Sequence, residues 1–562
     1  MTTSAPLATC SGPGAAREGL GESPREGLGA GPFWALLAAV ALVAGFLRFY
    51  RLSWGLEDGV IFPDEWVWWR RASAFVPLSC SSFEAIGLPL YPYPTLYGYI
   101  VGAFTALGTA IGAMEPPSPP PIRDLEVIGL ARAVAALAGT GAVVVTGLLG
   151  ARLYSRATGV AAAALLAVAP LHAWQTHYAS VDPLLTLLFA AVCLPCATIL
   201  QRGGAAPALA AGALAGLALA TKYTGLSAVV PVAWAVLARA HQERSWRAFW
   251  IGASCAGVAF FAALLLACPT CVFEFPKHYG AMRWLQHVLW NTDAFPGYRL
   301  VPSVGWYGRP YLYELFATLP WGLGWPLYAL SLAGVAFAVW RRTAADVLLL
   351  LAVVIPNFIV VGGTPLAFAR YLLPIYPALL VLGARAALAL PRPRLGIAVV
   401  AAIWVYSGWL SLAQIAGFSL EQQKEVARWI AQDARPRGAR VAIPSTLLGY
   451  DALEPFLAAQ KLGVVKVREG EWWMQRADYF VLPERLAAVY ERGAPEGPIA
   501  QDVRRLRAGE LGYQPVQSFE DLYPQRALYA WLDPGLHPAL GAYGFTVYRR
   551  EAEPAPRRRG RP

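Results

Sequence analysis

The sequence predicts a polytopic α-helical membrane protein of about 11–13 spans, with a small soluble α/β domain at its C-terminal end. Three observations predict it. Only 14% of the 562 residues are charged and 57% are hydrophobic, where a soluble chain carries nearer a quarter charged. Apolar segments long enough to approach a span recur from residue 33 to residue 416. After Phe418 the composition turns charged and the periodicity shortens to that of strands.

Residues 1–32 are rich in Gly, Ala and Pro without periodicity, so a disordered cytoplasmic N-terminus is expected. The run at 33–47 is followed by RFYRLSW rather than a small-residue cleavage site. It reads as an uncleaved first span. Further apolar segments lie at 92–113, 126–150, 157–173, 183–200, 205–221, 224–238, 248–268, 312–340, 344–361, 370–386 and 395–416. Basic links separate some of them: Arg152 and Arg156, Arg202, Arg239 to Arg247, Arg341 and Arg342, and Arg385 to Arg394. The positive-inside rule puts these links in the cytoplasm. The other connections, 51–91, 174–182, the turn at Lys222, 269–311 and 362–369, then share the outer face with everything after 416. This parity holds only if 92–113 crosses incompletely, so that segment is read as re-entrant. Its start, YPYPTLYGY, suits a membrane interface.

In residues 419–550, the strand-like runs RVAIP (440–444), GVVKV (463–467), DYFVLP (478–483) and FTVYRR (545–550) alternate with helix-like stretches such as 420–432. This predicts an extracytoplasmic α/β domain. A basic tail, 551–562, follows.

The net charge of +11 is that of cytoplasmic loops and lipid headgroups. No basic stripe interleaved with aromatics marks a nucleic-acid surface. The seven cysteines, Cys10, Cys80, Cys193, Cys196, Cys255, Cys268 and Cys271, form no repeating disulfide framework. Cys193 and Cys196 lie in an apolar run and are read as small hydrophobes, while Cys268 and Cys271, in CPTC, sit at an expected membrane edge, where the lack of a second ligand pair nearby in sequence gives a redox or metal reading little weight.

The outer-face connections carry the chemistry. In FPDEWVWWRR (62–71), Asp64 and Glu65 stand among tryptophans that would hold them at the interface. Other polar residues converge on that face: Tyr91 and Tyr93; His172, His177 and Asp182; Lys222 and Tyr223; Lys277, His278, Arg283, His287, Asn291 and Asp293; Arg370 and Tyr371. Each has a plain alternative: a solvated loop acid for Asp64 and Glu65, a helix cap for Asp182, a headgroup contact for Lys222 and Arg370, an interfacial histidine for His287. Together they suit an amphiphile with an anionic head. Cations and a tyrosine hydroxyl hold a phosphate, and a carboxylate opposite takes a proton from an incoming hydroxyl.

Taken in order, PDE (63–65), the run at 91–94, HYASVDPLLT (177–186), TKYTG (221–225), WLQHV (284–288) and ARYLLPIYPALL (369–380) resemble the integral-membrane C-type glycosyltransferases. These are the protein O-mannosyltransferases and the lipid A aminoarabinose transferase. The resemblance covers roughly residues 33–416. It implies sugar transfer from a polyprenyl-phosphate donor to a hydroxyl acceptor with inversion, on the extracytoplasmic face of a plasma (inner) membrane. It implies Asp64 as general base, Glu65 as its catalytic partner, Asp182 lining the cavity, His287 on the long outer loop, and Arg370 and Tyr371 on the carrier phosphate with Lys222 nearby. The expected partners are the lipid-linked donor, an acceptor of unspecified class (glycan, lipid or protein) and membrane lipids. No cofactor is called for, and a divalent metal is compatible with the acids.

The sequence also departs from the pattern of the families it resembles. PLYPYPT (89–95) carries no Glu-Lys pair, Thr292 stands near where an arginine is expected, and 269–311 is too short for an inserted sugar-binding domain. Neither aminoarabinose transfer nor protein mannosylation is therefore implied. A transporter or a non-catalytic scaffold for envelope polysaccharide remains the alternative; the first would want inverted repeats, and none is visible.

Overall fold

The computed structural model describes residues 28–60, 65, 67–68, 93–116, 124–290, 311–364, 368–433, 439–444, 453–467, 477–484, 487–488, 491, 496–520 and 544–551. Among these, eight helices are long and apolar enough to cross a membrane: Ala30–Phe49, Leu125–Leu153, Asp182–Arg202, Tyr223–Glu243, Trp246–Ala267, Ala344–Gly362, Ala369–Leu388 and Pro393–Asp433. Three shorter apolar helices accompany them. The chain is a multi-pass membrane protein.

We number the helices used below α1 (Ala30–Phe49), α2 (Leu96–Ala110), α3 (Leu125–Leu153), α4 (Arg156–Ala167), α5 (Asp182–Arg202), α6 (Ala205–Thr221), α7 (Val229–Glu243), α8 (Trp246–Ala267), α9 (Phe275–Trp290), α10 (Trp325–Arg341), α11 (Tyr376–Leu388) and α12 (Pro393–Ala416). The 157–173 segment does not form one span. Helix α4 ends at Ala167, and a separate short helix starts at Pro170, whose ring cannot continue the ladder. Helix α2 has 15 residues, about 22 Å of rise against a hydrocarbon core of about 30 Å.

Local chemistry starts the helices. Asp124 accepts a hydrogen bond from the Val127 N–H at 3.2 Å to begin α3. Ser155 accepts from Thr158 at 3.1 Å to begin α4, and Ser245 from Ala248 at 3.2 Å to begin α8. Short connections make antiparallel neighbours of α3 and α4, of α5 and α6, of α6 and α7, and of α7 and α8, while α5 packs against α3. The arginine-bearing turns at 153–156, 202–205 and 243–246 thus share one end of the bundle. Residues 176–182, 222–228 and 268 onward share the other. Where helices cross closely they use glycine: a Cβ on Gly212 of α6 would run into the Ala256 carbonyl of α8, and one on Gly216 into that of Phe260. Small residues of this kind let helix backbones meet in lipid, where lipid tails are as apolar as leucine.

The C-terminal region carries a five-stranded sheet in the order β2-β1-β3-β5-β4. The strands are β1 (Arg440–Pro444), β2 (Gly463–Val467), β3 (Tyr479–Pro483), β4 (Tyr513–Phe519) and β5 (Phe545–Arg550). Strands β1, β2 and β3 pair in parallel, while β5 pairs antiparallel with β3 and β4. The four strand-like runs form β1, β2, β3 and β5. Strand β4 was not foreseen. It holds Pro515, and its register shifts between Pro515 and Gln517; an edge position tolerates both. Helix α13 (Glu421–Asp433) joins this sheet: Asp433 accepts from the Tyr479 hydroxyl at 2.8 Å.

Candidate active site

Glu65, in the connection after α1, meets an arginine inside α3. Arg132 and Glu65 form a two-point ion pair, Nε to Oε1 at 2.7 Å and Nη2 to Oε2 at 2.8 Å. Both side chains are wholly buried. Arg132 also donates to the carbonyls of Leu52 and Trp54 at 3.1 and 2.6 Å, and its guanidinium stacks 4.4 Å from the Trp54 ring centre. The Ala179 N–H donates to Glu65 Oε1 at 2.9 Å. Glu65 is thus tied to α3 and to the loop before α5. It is not among the residues lining the cleft described below, so its geometry is that of an anchor for the 62–71 motif. Asp64, the implied base, lies outside the described residues, one position from this anchor. The alternation of charge and tryptophan led sequence reasoning to the motif but not to Arg132. The signal for Arg132 was present: an ionisable residue inside an apolar run.

Three other connections meet beside this anchor. Asp182 is the first residue of α5, with Val181 at the cap position and no capping side chain. Its carboxylate instead accepts from Lys222 Nζ at 2.7 Å through Oδ1, and from Ser180 Oγ at 2.9 Å through Oδ2. Arg370 Nε stands 3.7 Å from Oδ2. Lys222 Nζ sits 3.9 Å from the Tyr371 ring centre, and the Arg370 guanidinium lies 4.6 Å from that of Phe368 and 5.6 Å from that of Tyr371. Asp182, Lys222 and Arg370 are all buried. Among the described residues, one carboxylate and two cations meet here in a low-dielectric setting, where charges interact more strongly than in water.

An open cleft reaches the cluster. It is lined by Trp68, Tyr93, Gln175, Tyr178, Ala179, Ser180, Val181, Asp182 and Arg370. Trp68, three residues after Glu65, packs edge-on against Tyr97 with ring centres 4.8 Å apart and lies 5.4 Å from Tyr93. Four of the sequence-derived residues, Asp182, Lys222, Arg370 and Tyr371, therefore come together from three separate parts of the chain.

His287 does not line the cleft; it is exposed on α9. The buried histidine of that helix is His278, whose Nδ1 lies 2.8 Å from the Tyr223 hydroxyl. Cys268, Cys271 and His278 bring their ligand atoms within 4.8 Å of one another, the one such group among the described residues. His177 is also buried, with its ring nitrogens 3.0 and 2.9 Å from the carbonyl oxygens of Ala173 and Tyr50. Its ring stacks on Phe418 at the junction to the sheet domain.

Residues 127–270 match the family model described as dolichyl-phosphate-mannose-protein mannosyltransferase. The chain resembles membrane glycosyltransferases of this kind. The matched stretch contains Arg132, Asp182 and Lys222; the family segment ends before Arg370 and Tyr371. Among solved structures, ArnT from Cupriavidus metallidurans bound to undecaprenyl phosphate is 16% identical, with 92% of this chain and 98% of that one covered and a TM-score of 0.45. The Archaeoglobus fulgidus oligosaccharyltransferase tethered to an acceptor peptide is 12% identical, with coverage of 84% and 72% and a TM-score of 0.47. The same organism's AglB with an inhibitory peptide and a dolichol-phosphate is 11% identical, with coverage of 84% and 72% and a TM-score of 0.45. No curated protein matches the chain.

Proposed function

We propose that this protein transfers a sugar from a polyprenyl-phosphate-linked donor to a hydroxyl acceptor, at the extracytoplasmic surface of the plasma membrane and with inversion at the anomeric carbon. The observation that carries this reading is the cluster of buried Lys222 and Arg370 around Asp182, with partly buried Tyr371 against Lys222, beside a cleft lined by Asp182 and Arg370. The mannosyltransferase match over 127–270 supports the same reaction class.

In this reading Arg370 and Lys222 offset the carrier phosphate charge, and Tyr371 backs Lys222. Asp182 sets the position of both cations through its two oxygens. Asp64 takes the acceptor proton as the acceptor oxygen attacks the anomeric carbon from the face opposite the phosphate. The carbon–oxygen bond to the carrier breaks, and the lipid phosphate leaves with that electron pair. Glu65 acts as a positioning residue: held at both oxygens by Arg132 and at one by Ala179, it fixes the backbone beside Asp64. Positioning and charge offset supply most of the rate enhancement for a leaving group of this kind.

The test reconstitutes the full chain in lipid, presents a panel of polyprenyl-phosphate sugars and follows release of free polyprenyl phosphate with a mixed pool of hydroxyl acceptors. Release that requires one donor class supports the reading. No release from any donor by folded protein would remove it in favour of transport or scaffolding.

A further inference from the structure

The turn that ends α8 brings together a second set of chemistry-bearing side chains, outside the cluster on Asp182. Cys268 closes α8, and the Cys271 N–H donates to its carbonyl at 3.0 Å, which folds the two thiols toward each other. Two turns of chain later, α9 returns His278 to the same point. Cys271 Sγ stands 3.7 Å from His278 Nδ1. A tetrahedral ion with metal–sulfur bonds near 2.3 Å and metal–nitrogen bonds near 2.0–2.1 Å separates its sulfur and nitrogen ligands by about 3.5 Å. The observed pair is thus already close to a tetrahedral edge. The His278 ring is held from its other side, with Nε2 2.9 Å from Thr270 Oγ1. That is the kind of outer hydrogen bond that fixes the orientation of a ligating imidazole. Cys268 and His278 are buried and Cys271 is partly so.

We propose that Cys268, Cys271 and His278 form a binding site for a thiophilic divalent cation, with zinc the ion that this ligand set matches. Two sulfurs and an imidazole select against magnesium and calcium, which take oxygen ligands. The fourth position faces the Tyr223 hydroxyl, 2.8 Å from His278 Nδ1, and is filled by that oxygen or by water. The ion would clamp the end of α8 to α9 and to the turn that carries Lys222. That clamp holds the Lys222 side of the anion cluster at a fixed height. The CPTC spacing gave two of the ligands in sequence; the third was hidden because six residues and a helix start separate it from Cys271.

The experiment equilibrates the full chain in lipid nanodiscs with zinc, removes loose metal and measures bound zinc. It then substitutes cobalt and records the thiolate-to-cobalt charge-transfer band. The expected result is about one zinc per chain and a thiolate–cobalt band. Both should be lost in Cys271→Ser and His278→Ala and kept in Cys255→Ser. The wild-type band alone tests the site if a variant fails to fold. Three results would overturn the proposal: no metal retained by wild type, equal metal in the wild type and both ligand variants, or a Cys268–Cys271 disulfide in protein purified without reductant. Copper retained in place of zinc would overturn the assignment of the ion.

Discussion

The Lys222 ammonium donates to Asp182 Oδ1 at 2.7 Å, with both side chains buried. This pair joins the start of α5 to the end of α6 and holds a cation against Asp182, which lines the cleft. A buried charge of this kind persists only when paired, so the pair is a structural joint and, in the proposed reading, part of the carrier-phosphate site. Lys222→Met is expected to lower donor turnover by about 10²–10³-fold, the loss typical of one preorganised charge donor. Lys222→Arg should keep more of it. Steady-state kinetics on the donor, with a thermal melt of each variant, separates lost chemistry from lost fold.

The Glu65–Arg132 pair makes a second prediction. Removing one partner strands the other charge in a dry environment, at a cost of about 3–5 kcal/mol. Glu65→Gln and Arg132→Met should each lower the melting temperature strongly. The double variant should lose less than the sum, because neither charge is then left alone. Additive losses in a double-mutant cycle would show that the pair does not anchor the motif.

Tyr371 presents its ring face to Lys222 at 3.9 Å. A cation over an aromatic face in a desolvated site is worth about 0.5–2 kcal/mol. Tyr371→Leu should therefore weaken donor affinity several-fold, while Tyr371→Phe keeps the face and most of the affinity. If Phe and Leu lose equally, the hydroxyl, not the ring, is the part that matters.

His177 gives a pH dependence. Burial pushes its imidazole down to about 4, while an unfolded chain titrates near ~6.5. Between those values the unfolded state binds the extra proton, so stability rises with pH across the window. It is complete above about pH 6.5 and falls as the pH drops toward about 4, by up to ~3 kcal/mol. Melts of wild type and His177→Gln across that window check it: the wild type should show the steeper rise.

Much of this architecture was legible in the sequence, because lipid leaves few solutions for a backbone. Apolar runs and arginine-bearing turns placed the helices and predicted which connections share an end. The convergence of Asp182, Lys222, Arg370 and Tyr371 followed, since each begins or ends an apolar run on that end. What stayed hidden depends on contacts between distant segments. Arg132 looks like an intruder in α3 until Glu65 meets it. His278 and His287 both fit a polar helix in sequence, and only packing against Tyr223 and Thr270 separates the buried one from the exposed one. Strand β4 was missed because its proline argues against a strand, and only its place at the sheet edge removes that objection.

The central claim is that a carboxylate next to the Glu65 anchor removes the acceptor proton. Release of polyprenyl phosphate by reconstituted wild type and by Asp64→Asn, at matched folding and donor concentration, tests it most directly. Loss of a general base typically lowers the rate by about 10²–10⁴-fold, and that is the result expected for Asp64→Asn, with donor affinity little changed. Release at the wild-type rate would contradict it.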